Sequence, residues 1–191
     1  MILNSVLGKN WISKKYNEEI VSTLKNNFNL SEILSRLIAI RRINLDEVNL
    51  YLNPKLKNTL PDPFILKDMD KSVDRCIKAI INKEKIGIFG DYDVDGATST
   101  AVLGNYFKDI GLDISIYIPD RKTEGYGPTK NGFDKLIKQG VNLIFTVDCG
   151  TMSFETIDDY QKKNIDIIVL DHHQSELKLP NAFSIVNPNR F

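Results

Sequence analysis

The chain has 191 residues, 42% hydrophobic and 26% charged, with 25 Lys/Arg balanced by 25 Asp/Glu. That is enough apolar material for one large domain or two small ones, while a net charge of zero argues against a general nucleic-acid binder. Two cysteines, Cys76 and Cys149, do not make a disulfide scaffold, and the absence of a long apolar run or a basic–apolar leader argues for a cytoplasmic location with no membrane partner.

The neutral total conceals an asymmetry. Residues 1–85 carry 15 Lys/Arg and 10 Asp/Glu, a balance of +5, whereas residues 86–191 carry 10 and 15, a balance of −5. Two divalent ions would bring the second part close to neutrality, so the pattern is that of a basic N-terminal region joined to an acidic, metal-loaded one.

Residues 1–18 read as a partly ordered lead-in anchored by Trp11. A short helix is expected from Glu19 to Phe28. Asn29-Leu30-Ser31-Glu32 has the spacing of a capping box for a helix through Ile40, and Arg41-Arg42 suit its C-terminal dipole. A further short helix is expected over 45–52, ending before Asn53-Pro54. Leu60-Pro61-Asp62-Pro63-Phe64 reads as a rigid connection. A helix from Met69 to Ile81 follows, with Val73, Ile77, Ile80 and Ile81 expected on its buried face. The region 1–80 is thus expected to be small, helical and basic.

From residue 81 the pattern is that of an α/β domain. Candidate strands at 86–89, 113–118, 142–147, 166–170 and 183–186 alternate with candidate helices at 96–110, 129–139 and 153–163. Such alternation predicts a parallel sheet of about five strands with helices on both faces, all strands ending at one edge.

Ionisable residues gather where those strands end. Asp91, Asp93 and Asp95 follow the first, and Asp120-Arg121 and Glu124-Gly125-Tyr126-Gly127-Pro128 follow the second. Asp148-Cys149-Gly150 follows the third, Asp171-His172-His173 the fourth, and Asn187-Pro188-Asn189-Arg190 the last. The triplet at 91–95 reads either as a solvated acidic loop or as a cation site, since clustered carboxylates repel unless something positive lies between them. The only two histidines sit beside an aspartate at an equivalent strand end, which favours the cation. Mixed carboxylate–imidazole donors suit Mn²⁺ or Mg²⁺ better than a thiolate zinc site, and so many carboxylates suit two ions about 3.5–4 Å apart. With Arg121 and the N–H groups near Gly96, Thr98 and Ser99 as partners for anionic oxygens, the chemistry is phosphoryl hydrolysis. Gly125-Tyr126-Gly127 reads equally as a phosphate- or base-contacting segment and as a plain tight turn.

These strand-end sequences form a recognisable set. Gly90-Asp91-Tyr92-Asp93-Val94-Asp95-Gly96-Ala97-Thr98-Ser99, Thr146-Val147-Asp148-Cys149-Gly150 and Asp171-His172-His173 resemble the first three motifs of the DHH phosphoesterase superfamily. Ile118-Pro119-Asp120-Arg121 through Pro128, Val186-Asn187-Pro188-Asn189 and the lead-in from Asp62 to Met69 are similar to its RecJ branch of single-strand-specific 5′→3′ DNA exonucleases. The resemblance implies Asp91, Asp93, Asp148 and His172 as ligands of a Mn²⁺ or Mg²⁺ pair, with Asp95, Asp171 and His173 completing or supporting the site. Arg121, Gly125, Tyr126, Thr98, Ser99 and Asn187 are the candidate phosphate or nucleic-acid contacts, and the resemblance implies single-stranded DNA as substrate in repair and recombination. A single-strand-binding protein and a helicase are the partners it suggests. Phe89 stands where many relatives carry His. The family's fourth motif and its C-terminal domains would follow Phe191, so the chain resembles the N-terminal part of a longer nuclease. The competing readings are another DHH phosphoesterase, acting on short oligonucleotides, nucleotides or cyclic dinucleotides, and a non-catalytic DHH scaffold.

Overall fold

Val21, Leu24, Ile38, Ala39 and Val48 form the core around which the first part of the chain packs. In this computed structural model, which describes residues 2–4 and 6–190, that part is the compact unit Met1–Pro61. It opens with β1 (Ile2–Asn4) and β2 (Asn10–Ile12), paired antiparallel. The hairpin replaces the expected lead-in, and Trp11 is 67% exposed. Helices α1 (Glu18–Phe28) and α2 (Glu32–Ile40) pack together, and α3 (Val48–Leu52) and α4 (Leu56–Thr59) follow. The expected capping box at Asn29 is not formed. Asn29 adopts a left-handed conformation that closes α1, and Ser31 caps α2 by accepting the Leu34 N–H. Asparagine tolerates the left-handed region, so it serves as a stop where a start was expected.

The second unit, Asp62–Phe191, contains α5 (Met69–Ile81), β3 (Ile86–Gly90), α6 (Val94–Asp109), β4 (Ile114–Tyr117), α7 (Lys130–Lys138), β5 (Leu143–Val147), α8 (Phe154–Gln161), β6 (Asp166–Leu170) and β7 (Ser184–Val186). The unit begins inside the proline-rich connection, and residue 80, where the boundary was expected, lies within it in the last turn of α5.

All five strands pair in parallel, in the order β4-β3-β5-β6-β7, as the alternating pattern predicts. Strand alternation divides the apolar side chains between two cores. Phe89, Ile144, Ile167 and Val169 face the layer of Phe133, Leu136, Ile157 and Tyr160 from α7 and α8. Ile86, Ile88, Phe145 and Ile168 face Ala79 of α5 and Phe107 of α6.

The face that α5 buries is rotated from expectation. Ser72, Arg75 and Ala79 are buried, whereas Ile77 and Ile81 are exposed. The cause is polar pairing that outweighs apolar preference. Arg75 donates to Asp166 at 2.6 Å and to Glu84 at 2.7 Å, and the Ser72 hydroxyl lies 2.7 Å from that of Ser184. A buried guanidinium with two carboxylate partners keeps its charge and orients the helix.

Gly132 shows how tightly α7 seats on the sheet. A Cβ there would lie 2.5 Å from Phe89 Cε2 and 2.7 Å from Tyr117 Cδ1. In a helix interior, Gly→Ala normally stabilises by about 0.5–1 kcal/mol. Here the sign should reverse. Gly132→Ala is expected to lower stability by about 1–3 kcal/mol through overpacking, and urea denaturation followed by circular dichroism measures it.

Candidate metal centre

Three adjacent strands each end on an aspartate that closes the ladder with its own N–H. Asp91 donates to Val147 O (3.3 Å), Asp148 to Leu170 O (2.9 Å) and Asp171 to Val186 O (3.1 Å). Parallel in-register pairing therefore lines up three carboxylates at one sheet edge. Asp91 and Asp148 are 3% and 5% exposed, and Asp148 sits at φ 61°, a left-handed backbone that aspartate tolerates better than most residues.

The chain leaves β3 so sharply that Gly96 lies against the Asp91 backbone. A Cβ at Gly96 would be 2.4 Å from Asp91 O, so only glycine fits. Asp93 caps α6, its carboxylate accepting the Gly96 N–H at 2.9 Å. Helix α6 thus starts at Val94, two residues earlier than expected, because Asp93 supplies the missing acceptor. The same cap engages N–H groups expected to meet anionic oxygens. Gly96 N–H goes to the Asp93 side chain and Ala97 N–H to the Asp93 carbonyl. The Thr98 and Ser99 hydroxyls donate back to the carbonyls of Val94 and Asp95.

Two groups of potential ligand atoms result, Asp91–Asp93–Asp148 and Asp148–His172–His173, each with its atoms within 4.8 Å of one another. Asp148 belongs to both. His172 Nε2 lies 3.0 Å from Asp148 Oδ1. Burial pushes the Asp91 carboxyl above its ordinary pKa, and burial followed by the Asp93 charge does the same for Asp148. Asp93 is held below its ordinary value, chiefly by the Gly96 N–H. Asp91 Oδ1 is buried without a hydrogen-bond partner in the protein. A buried acceptor left unmatched among like charges is a costly arrangement for a protein alone and a normal one for a cation ligand. The donor set, carboxylate oxygen with imidazole nitrogen, fits Mn²⁺ or Mg²⁺.

Asp171 is placed differently from its expected ligand role. Its Oδ2 accepts the Thr151 N–H (3.0 Å), and its Oδ1 accepts the N–H groups of His172 (2.8 Å) and His173 (3.1 Å) and lies 2.7 Å from His173 Nδ1. Burial works to raise its pKa, but these hydrogen bonds outweigh it and hold the carboxyl below the ordinary value. Asp171 is the clamp of the histidine pair. With His173 Nδ1 engaged, Nε2 is the ring nitrogen left to ligate, the arrangement usual for metal-bound imidazoles. Asp95 is exposed in the first turn of α6 and belongs to neither ligand group among the described residues.

Tyr126 reaches the site from the loop after β4. Its hydroxyl lies 3.1 Å from His173 Nδ1 and 3.4 Å from Asp148 O, and its ring meets the His173 ring edge-on. Gly125 and Gly127 flank it at φ 79° and 84°, so they serve the turn that aims the tyrosine. Arg121 lies over the Tyr92 ring, 5.2 Å from its centroid. Asn187 is buried. Its amide donates to Thr151 Oγ1 (2.9 Å) and His173 O (3.0 Å), and its oxygen accepts the Asn189 N–H (2.8 Å), so it braces the site and has no donor left for a ligand. Phe89 is fully buried between Tyr117 and Phe133, away from the ligand groups. Thr151 and Tyr92 were not singled out from sequence. A hydroxyl directly after Asp148-Cys149-Gly150 was the available signal for Thr151. Beside the carboxylates opens a cleft of about 840 Å³, with Asp95, Thr98, Ser99, Asp148 and His172 among its lining residues.

Known proteins share the motif-bearing segment and the fold. The model of the DHH family, N-terminal domain, matches residues 85–191, more than half of the chain. The single-stranded-DNA-specific exonuclease RecJ of Bacillus subtilis is 33% identical over 181 residues, covering 94% of this chain and 23% of the relative. RecJ of Haemophilus influenzae is 37% identical over 159 residues, covering 82% and 27%. The chain thus spans about a quarter of the length of these relatives. Among solved structures, exonuclease RecJ bound to manganese superposes with a TM-score of 0.59 at 30% identity, over 64% of this chain and 31% of that one. With a five-stranded parallel sheet, DHH motifs at its edge and a family model that matches from β3 onward, the chain belongs to the DHH family.

Proposed function

We propose that this chain carries the metal-binding part of a phosphodiester hydrolase that degrades single-stranded DNA from the 5′ end in repair and recombination. The observation that carries the reading is Asp148, buried at a strand end and common to two ligand groups. Asp91, Asp93 and Asp148 would hold one divalent ion, and Asp148, His172 and His173 a second, either Mn²⁺ or Mg²⁺. Such ions supply a water nucleophile at neutral pH and neutralise charge on the scissile phosphate.

The chain's own residues do the rest. Asp171 fixes the orientation of both histidines and keeps His173 Nε2 as the free nitrogen. Asp93 keeps its carboxylate ionised by capping α6. Arg121 offers a guanidinium to the phosphate backbone, and the exposed ring of Tyr126 offers a stacking surface to a base. The names and manganese-bound structure of the RecJ relatives support the reading.

Two tests follow from the electrostatics. Asp91 and Asp148 have native pKa values above their unfolded ones. Each therefore contributes stability that is complete below the unfolded value of about 3.9 and lost as pH rises through the folded value. Asp148→Asn removes one of these ionisations and keeps a residue suited to φ 61°. In the ion-free protein it is expected to raise stability at pH 7 by about 1–3 kcal/mol and flatten the decline above pH 4, while abolishing the rise in thermal midpoint caused by Mn²⁺. Thermal denaturation across pH with and without Mn²⁺ reads both effects.

Asp93→Ala and His172→Ala should each lower Mn²⁺-dependent hydrolysis by at least about 100-fold with circular dichroism unchanged. The assay follows 5′- and 3′-labelled single strands incubated with this chain and with a longer version. Wild-type rates in either variant would remove the two-ion site.

A further inference from the structure

The loop between β4 and α7 spans residues 118–129 and carries both Arg121 and Tyr126. Its fixed point is Glu124, whose carboxylate gathers donors from every element around it. The Tyr117 hydroxyl at the end of β4 lies 2.8 and 2.7 Å from its two oxygens. The Asp120 N–H at the start of the loop donates to Oε1 at 3.1 Å. The Thr129 hydroxyl, which also caps α7, donates to Oε2 at 3.2 Å, and the Asn131 amide at 3.3 Å. The backbone adds a bond from Glu124 N–H to Asp120 O at 2.8 Å. These donors, foremost the Tyr117 hydroxyl, hold the carboxyl below its ordinary pKa, so the anchor is charged at neutral pH. Among the described residues Glu124 belongs to neither ligand group.

From that point the loop reaches the site in two directions. On one side the Asp120 carboxylate accepts the N–H groups of Lys122 (2.8 Å) and Thr123 (3.0 Å), a turn that presents Arg121 over Tyr92 of the acidic loop. On the other, Gly125 turns the chain so that Tyr126, two residues from the anchor, meets His173. We propose that Glu124 is a positioning residue that sets the 118–129 loop against the carboxylate–histidine site and so fixes where Arg121 and Tyr126 meet a substrate strand. The placement of the loop rests on geometry alone, and the strand rests on the function proposed above.

The first arm of the test needs neither ion nor DNA. In amide NMR spectra, Glu124→Ala should shift the signals of Gly125, Tyr126, Gly127 and His173, although Glu124 does not touch His173. Glu124→Gln, which keeps an acceptor for Tyr117, should restore much of the wild-type pattern. Lys122→Ala in the same loop should leave His173 unmoved. Unshifted Tyr126 and His173 signals in Glu124→Ala overturn the proposal, and if that variant does not fold, Tyr117→Phe, which removes the principal donor, decides in the same way.

The second arm measures binding of a short single-stranded DNA in Mn²⁺. Glu124→Ala should weaken it about tenfold, and the double variant with Arg121→Ala should be no weaker than the worse single variant, because the two act as one unit. Additive losses overturn the coupling. Wild-type protein that binds no single strand removes the proposed substrate, while the first arm still decides the role of Glu124.

Discussion

Parallel strands in register, about 4.8 Å apart, force whatever follows each strand to emerge side by side. Here three neighbouring strands are followed by aspartate, and each aspartate is pinned by its own N–H as the last bond of the ladder. Like charges are thereby held at a spacing they would not choose in water. The remainder of the second unit can be understood as accommodating that constraint. Gly96 lets α6 start against the Asp91 backbone, Asp93 turns its carboxylate to the helix N-terminus, and Asp171 is neutralised by four donors. Asp91 and Asp148 are the carboxyls that burial still pushes above their ordinary pKa, and they are the pair that an ion would serve.

The two sides of the sheet divide the labour. The α7 and α8 side is aromatic and tightly interlocked through Phe89, Phe133, Tyr117 and Tyr160. It carries the 118–129 loop and hence Tyr126. The α5 and α6 side is oriented by buried polar pairs, Arg75 with Asp166 and Glu84, and Ser72 with Ser184. Both sides reach the strand edge, the first through Tyr126 of the 118–129 loop and the second through Asp93 at the start of α6.

Legibility from sequence follows this physics. The strands were readable because β-branched and aromatic runs between turns have few other uses, and the strand-end aspartates were readable once the strands were placed. The burial of α5 was not, because periodicity counts apolar residues and cannot know that Arg75 finds two carboxylates, one of them 91 positions away. Short hairpin strands such as β1 and β2 carry too little pattern to register. Within the site, the sequence offers residue types, but the difference between a donor still available and one already engaged was invisible. Asn187 and the Gly96 N–H, expected as ligand contacts, have hydrogen-bond partners within the protein. Glu124 looked like one more acid in a glycine-rich turn, since its partners lie on β4 and α7.

Trp11 has an optical consequence. It is the chain's single tryptophan, and its indole already faces water in the hairpin of the first unit. Its emission is therefore a poor witness to the sheet. Five of the seven tyrosines, Tyr92, Tyr106, Tyr117, Tyr126 and Tyr160, lie in the second unit, and Tyr16 and Tyr51 lie in the first. Excitation at the long-wavelength edge, where only indole absorbs, would therefore follow the hairpin of the first unit alone.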